Sequence, residues 1–368
     1  MLGAMTGDAA RLEAVRALMC AKIGAEIPDD QDGASEWARR VSAFDPVGDL
    51  RRGAAGWIDY LQVRPSGNFG NNYTQLLNAL TLAEAIGARA VAHRFDWFRN
   101  GGPDRALKLT RRRRPPKGQA GLAATYFLRS NIARLKDAPP ERMMRVSNEF
   151  LAPTFRLTPE KVAPICVNFR GGADVFDNPA PNGRYGQPPL SFYQLALSNI
   201  FERYGAAPVV VVHQDERNPA LAPLLAWLRE EGVAFQAVSG GPETDARAIL
   251  GARHIVMGWT SFTAALALLS PNLTTVSVFR RVQLQELLAL KADALFVAED
   301  WAGDYFRAGG WRNNARQRRM MLDYPRAALE LHDIARPAEL EADADWGRKT
   351  RRAHRRRRFR ARFGLARP

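Results

Sequence analysis

From Pro164 onward, short apolar runs and amphipathic stretches alternate along the chain. Ile165 to Phe169, Pro208 to Val212, Val233 to Val238, His254 to Met257 and Thr275 to Val278 are short and rich in β-branched residues. Such runs predict strands. Between them, Ser191 to Tyr204, Pro219 to Glu231, Glu243 to Leu250 and Ser261 to Leu269 carry apolar residues at helical spacing, and Pro219 suits a first helical turn. Strands that are apolar on both faces, with helices between them, predict a parallel sheet covered on both sides.

A similar unit stands earlier. Trp57 to Val63 reads as a strand, and Pro65 to Asn72 as a turn-rich loop. Tyr73, Leu76, Leu77, Leu80, Ala83 and Ile86 follow a 3.6-residue period that stops at Gly87, and Arg89 to Ala92 is the next strand. Residues 94–150 show no clear period. Arg111 to Arg114, followed by Pro115-Pro116-Lys117-Gly118, predict an exposed loop. The expected organisation is α/β throughout. A helical lead-in covers 1–50, a Rossmann-type domain 51–160 and a second 161–346. Residues 280–346 of that second domain are expected to pack back as helices, and 347–368 to form a disordered basic tail.

The 368 residues carry a net charge of +15. Arg348 to Pro368 holds eleven Lys and Arg and no acid, so the rest of the chain carries only +4. The basicity therefore belongs to the tail and says little about the body. Cys20 and Cys166 lack the spacing of a zinc site or a disulfide framework. No run of about 18 apolar residues predicts a membrane span, and early charges at Asp8, Arg11, Glu13 and Arg16 argue against a leader peptide. A cytoplasmic protein is expected, with the tail able to touch the inner membrane face.

Candidate chemistry gathers where strands end. Ile165 to Phe169 runs into Arg170, Gly171 and Gly172. Ligands of open parallel sheets collect at the carboxyl ends of strands. An arginine there grips phosphate through paired hydrogen bonds and keeps its charge. Arg170 is thus a phosphate clamp or a loop arginine. Gly258-Trp259-Thr260-Ser261-Phe262 follows a strand and opens a helix, where Thr260 or Ser261 is a natural N-cap. Helix starts of this kind attract phosphate. Gly67-Asn68-Phe69-Gly70-Asn71 lacks the GxGxxG spacing and a ribose-binding acid about 20 residues on, which disfavours a dehydrogenase.

Asp245 either caps a short helix or pairs with a base edge. Asp174, Asp177 and Glu202 are the candidate general bases, the first two nearer Arg170. The histidines show no ligand spacing, Asp343-Ala344-Asp345 follows no strand, and no P-loop or GxSxG elbow occurs. No metal and no cofactor is expected.

Five segments resemble, in order, the motifs of the GDP-fucose-dependent fucosyltransferase superfamily. They are Gly67-Asn68-Phe69-Gly70-Asn71, Val167-Asn168-Phe169-Arg170-Gly171-Gly172-Ala173-Asp174, Tyr185 to Tyr193, Val212 to Pro219 and Trp259-Thr260-Ser261-Phe262-Thr263. The resemblance covers residues 57–280. It implies a GT-B-like fold, with two Rossmann-type parallel-sheet domains facing across a cleft. It also implies metal-independent, inverting transfer of a sugar from GDP-fucose or a related GDP-sugar. The acceptor would be a hydroxyl of a glycan, a lipid-linked saccharide or a protein.

By the same resemblance Arg170 contacts the β-phosphate, with Asp174 and Asp177 beside it as catalytic candidates. Thr260, Ser261 and Phe262 hold the pyrophosphate, and Asp245 binds the guanine. Asn168, Gly171 and the loop Gly67, Asn68, Phe69, Gly70 and Asn71 line the nucleotide-sugar site. Two positions depart from the pattern. Asn168 stands where the family has a histidine and cannot ionise, and Ala173 is inserted before Asp174.

Two rival readings stand beside this one. A glycosyltransferase-like domain could bind nucleotide sugar without turning it over, which Asn168 favours. Nucleic acid could bind through Arg348 to Pro368, helped by Arg111 to Arg114. The tail has only Phe359 and Phe363 as aromatics and no reading module. Contact with anionic lipid or polymer is expected of it in preference to nucleic acid.

Overall fold

The strand β1 (Tyr60–Val63) runs into the helix α1 (Phe69–Ile86), and three further strands follow: β2 (Ala90–His93), β3 (Lys108–Arg111) and β4 (Gly121–Ala124). They form one parallel sheet in the order β3-β2-β1-β4. The computed structural model describes residues 60–65, 67–86, 88–102, 107–111, 121–124, 138–160, 163–279, 287, 290–300, 303–305 and 310–334. The predicted lead-in over 1–50, Arg112 to Arg114 and the basic tail lie outside them. The chain divides after Arg156 into two units.

In the first unit the helical period of Tyr73, Leu76, Leu77, Leu80 and Ala83 is matched by their burial. Gln75, Asn78 and Thr81 are buried too, so α1 is enclosed on nearly every side. Thr81 Oγ1 donates to the Leu77 carbonyl at 2.8 Å, which satisfies a hydroxyl that has no water to bond. The helix α2 (Pro140–Val146) continues through a π turn (Ser147–Leu151) and a last helical turn (Ala152–Thr154). It is fastened to α1 by the Tyr73 and Ser147 hydroxyls, 2.8 Å apart, and by Arg145, which reaches both oxygens of Glu84 at 2.7 and 2.5 Å. Phe69, Trp97, Phe98 and Phe155 pack together beside the carboxyl ends of β1 and β2, with Phe69 and Trp97 centroids 4.8 Å apart.

The second unit holds β5 (Ile165–Phe169), α3 (Ala173–Phe176), α4 (Leu190–Tyr204), β6 (Val209–His213), α5 (Leu221–Glu230), β7 (Phe235–Val238), α6 (Pro242–Gly251), β8 (His254–Met257), α7 (Ser261–Leu269), β9 (Thr275–Phe279), β10 (Ala294–Asp300), α8 (Ala315–Asp323) and β11 (Leu329–Ile334). One sheet takes them in the order β11-β10-β9-β8-β5-β6-β7. All pairs are parallel except β10 with β11. Counted from β5, the parallel part reads 3-2-1-4-5-6, a Rossmann-like doubly wound order.

Ile165, Val167, Phe169, Val209, Val211, Val256 and Phe279 share one core with Phe192, Tyr193 and Leu197 of α4 and with Leu221, Leu224 and Leu228 of α5. By strand alternation Cys166, Asn168, Val210, Val212, Ile255 and Met257 face the other way, where α6 and α7 pack. Every residue of β5, β6, β8 and β9 is buried, as a sheet covered on both faces requires. Cys166 behaves as the small apolar residue its position predicts, and burial pushes its thiol up.

Two expectations are corrected. Residues 280–346 do not all pack back as helices, because Ala294–Asp300 and Leu329–Ile334 are strands that extend the sheet. A short apolar run such as Ala294 to Ala298 fits a buried helix or a buried strand equally well, and pairing with β9 decides it. Arg111 is not in a loop. It ends the strand β3, in register with His93.

His93 is fully buried at the end of β2, where its Nδ1 accepts from the Phe95 N–H at 3.2 Å. Burial, and then the nearby Arg111 and Arg156 charges, lower its pKa from 6.5 to about 4. The unfolded chain therefore binds the proton first as pH falls. Stability present above pH 6.5 is lost on descent toward pH 4, on the order of 3 kcal/mol in full. Urea unfolding between pH 7 and 4 should show this loss in the native protein, and His93→Leu should flatten it.

Candidate functional site

Strand order in the second sheet reverses between β5 and β8. The chain leaves β5 toward β6 on one side, and β8 is laid down on the other. Connections diverge there, which leaves a crevice outside the strand ends. From β5 comes Arg170, and from β8 come Gly258, Trp259 and Thr260, followed by α7. The Gly258 N–H donates to the Asn168 carbonyl at 2.8 Å. A Cβ at position 258 would stand 2.6 Å from the Asn168 carbonyl oxygen and 3.2 Å from the Arg170 nitrogen. Only glycine lets the two segments lie backbone to backbone. Arg170 and the start of α7 are therefore neighbours, each delivered by a separate crossover.

Thr260 is the N-cap of α7. Its backbone is extended, and Oγ1 accepts from the Phe262 N–H at 3.1 Å. The positive end of the helix dipole faces the crevice. The Arg170 guanidinium bonds Asp174 at 2.6 Å, and its Cζ stands 5.9 Å from the centre of the Tyr185 ring. The Arg170 carbonyl accepts from Asn218 Nδ2 at 3.0 Å. The guanidinium is thus aimed by an acid and an aromatic face, with its side chain 22% exposed.

The other predicted acids are also engaged. Asp177 bonds Arg217 Nε at 2.5 Å, and Arg217 reaches Asp215 at 2.8 Å. Asp215 receives the Gly172 N–H at 2.9 Å, and a Cβ on Gly171 would lie 2.4 Å from Asp215 Oδ1. Gly172 itself has φ +99°, in the region that favours glycine. The double glycine therefore lets the chain fold around the Asp215 carboxylate. Sequence reading missed the role of Asp215, although it stands in the acidic turn after β6. It also missed Gln187, which is 1% exposed and bonds both backbone groups of Trp259. The only signal for Gln187 is a polar residue set against two prolines.

Asp245 lies in the first turn of α6 without being its N-cap, which is Gly241. Its Oδ1 accepts from the Gly240 N–H at 3.1 Å. Burial raises its pKa, while the Gly240 bond and the nearby His213 oppose the rise. Asp245 also acts electrostatically on Cys166, which places it on the α6 side of β5, the side Asn168 faces. Asn168 Oδ1 and His213 Nδ1 are buried without a hydrogen-bond partner. Glu202 stands near the end of α4, next to the amino ends of the strands, and does not join this group. Gly67, Asn68, Phe69, Gly70 and Asn71 belong to the first unit, and the expected loop is shorter than predicted: only Gly67 and Asn68 precede the helix, while Phe69, Gly70 and Asn71 form the first turn of α1. Asn72 Nδ2 donates to the Gly67 carbonyl at 3.3 Å, and Asn71 fills the space a Cβ on Gly67 would take.

Among the described residues no three His, Cys, Asp or Glu side chains converge as a metal site, and no helix is long and apolar enough to cross a membrane. No protein-family model and no curated protein matches the chain.

Removing the cap hydroxyl in Thr260→Ala should cost about 1 kcal/mol of stability. Thr260→Ser should restore most of it, as read by urea midpoints.

Proposed function

We propose that the protein is a fucosyltransferase-like glycosyltransferase that holds the diphosphate of a GDP-sugar between Arg170 and the start of α7. The observation that carries this reading is their adjacency at the switch point of a 3-2-1-4-5-6 sheet. The resemblance in the Arg170 and Thr260-Ser261-Phe262 motifs supplies the reaction. In this reading the two units make a GT-B pair, with the donor on the second and the acceptor side on the first. The acceptor hydroxyl belongs to a glycan, a lipid-linked saccharide or a protein.

Displacement at the anomeric carbon passes through an oxocarbenium-like state while charge builds on the departing diphosphate. A guanidinium and a helix dipole aimed at that charge stabilise it most in the transition state, and neither requires a metal. Arg170 first exchanges Asp174 for phosphate. Both side chains are partly exposed, so the Arg170–Asp174 pair is weak and gives way at little cost. In this reading Asp245, on the side of the sheet that Asn168 faces, meets the guanine edge, as the resemblance implies.

Three outcomes test this reading. A melting-temperature panel should show a selective shift with GDP over UDP, ADP and CMP. Arg170→Ala should lower turnover on the order of 100- to 1000-fold with an unchanged circular-dichroism spectrum, and near-normal turnover would overturn the assignment. Activity should persist in excess EDTA, and a loss restored by Mn²⁺ would refute metal-independence.

A second reading, donor binding without catalysis, has its own support. Asn168 cannot ionise, and both loop carboxylates are held by arginines. GDP binding with no consumption of any GDP-sugar, by transfer or by hydrolysis, would establish it.

A further inference from the structure

We propose that Gln187 is the positioning residue of this phosphate site, holding Arg170 and the start of α7 in a single arrangement. The proposal rests on the donor-site reading above and assigns the part that makes that site rigid.

The last backbone bond between the β5 and β8 segments runs from the Gly258 N–H to the Asn168 carbonyl. β5 stops at Phe169 and β8 at Met257. Beyond them the backbone needs other partners. The segment beside it is Gln187-Pro188-Pro189, and its two prolines have no N–H to offer. The Gln187 side chain supplies what they cannot. Its Nε2 donates to the Tyr185 carbonyl at 2.9 Å and to the Trp259 carbonyl at 3.4 Å, and its Oε1 accepts from the Trp259 N–H at 3.3 Å. The primary amide thus pairs with the Trp259 peptide much as a neighbouring strand would.

Both ends of this tie lead to the site. Tyr185 presents its ring to the Arg170 guanidinium. Trp259 precedes Thr260, whose hydroxyl caps α7. Pro189, two residues after Gln187, is the N-cap of α4, so the same short segment also sets that helix. The Gln187 carbonyl is in turn held by the Tyr305 hydroxyl at 2.8 Å. The Tyr305 N–H is held by Asp300 at 2.8 Å, and Asp300 also receives the Tyr324 hydroxyl. Gln187 is therefore the junction between a buried polar chain at the end of β10 and both phosphate-binding parts.

The test uses the full-length protein with GDP and inorganic pyrophosphate as probes. Gln187→Met keeps the volume and removes the amide. Gln187→Glu keeps the shape, loses the donor and adds a negative charge. Calorimetry well below each melting midpoint should show GDP binding weakened about 10- to 100-fold in Gln187→Met and further in Gln187→Glu. In an Arg170→Ala background the Gln187→Met loss should shrink, because the two residues act on one ligand contact. A lowered midpoint with unchanged GDP affinity would mean a merely structural glutamine and would overturn the proposal while sparing the donor site. Failure of the native protein to bind either probe would overturn both. If the variants do not fold, resonances of the Trp259 amide and the Gln187 side-chain amide in the native protein decide it. They should move on GDP addition, and resonances that stay still would refute the proposal.

Discussion

The pairing of β5 with β8 brings two chain segments so close that one extra carbon at Gly258 would collide with the Asn168 carbonyl. Every feature of the candidate site follows from that approach. It joins the first strand of the second unit to the fourth, and it forces the connections on either side to diverge. It also puts the end of one strand, with Arg170, against the turn that opens α7. The strands can hold this position because they are apolar on both faces and enclosed by helices, so a shift in register would expose or collide several side chains together.

Charge around this junction is arranged in a chain. Arg170 faces Asp174, Arg217 links Asp177 to Asp215, and Asp215 holds the glycine turn through the Gly172 N–H. The links differ in kind. The Asp215 carboxylate is embraced by backbone and shapes the loop. The Arg170–Asp174 pair is a partly exposed contact of low net value. The loop is thus firm in its backbone and replaceable in its outer ion pair, which is the feature the proposed donor site draws on.

The first unit solves a different packing problem. Its helix α1 is buried nearly all round, so polar residues inside it must find partners within the unit, as Tyr73 does with Ser147 and Thr81 with Leu77. His93 remains neutral because its surroundings are apolar and two arginines lie near. This unit depends on keeping water and protons out, whereas the second depends on presenting charge at an edge.

Local patterning along the chain accounts for most elements of residues 164–279 and for Arg170 and Thr260 as strand-end and helix-start residues. A strand buried on both faces needs an apolar run, and an N-cap needs a short hydroxyl side chain, so both leave a mark within a few residues. Ala294 to Ala298 left no such mark, because its composition suits either kind of buried element and its neighbours chose between them. Gln187, Asp215 and Asn218 were silent for a related reason. Their bonds to Trp259, Gly172 and Arg170 span 72, 43 and 48 residues, and no short-range period records a contact of that length. Strand order was hidden in the same way. Five strands that follow one another along the chain are rearranged so that the first lies in the middle. That choice belongs to the packing of whole faces against whole helices, a property the folded molecule has and no single segment carries.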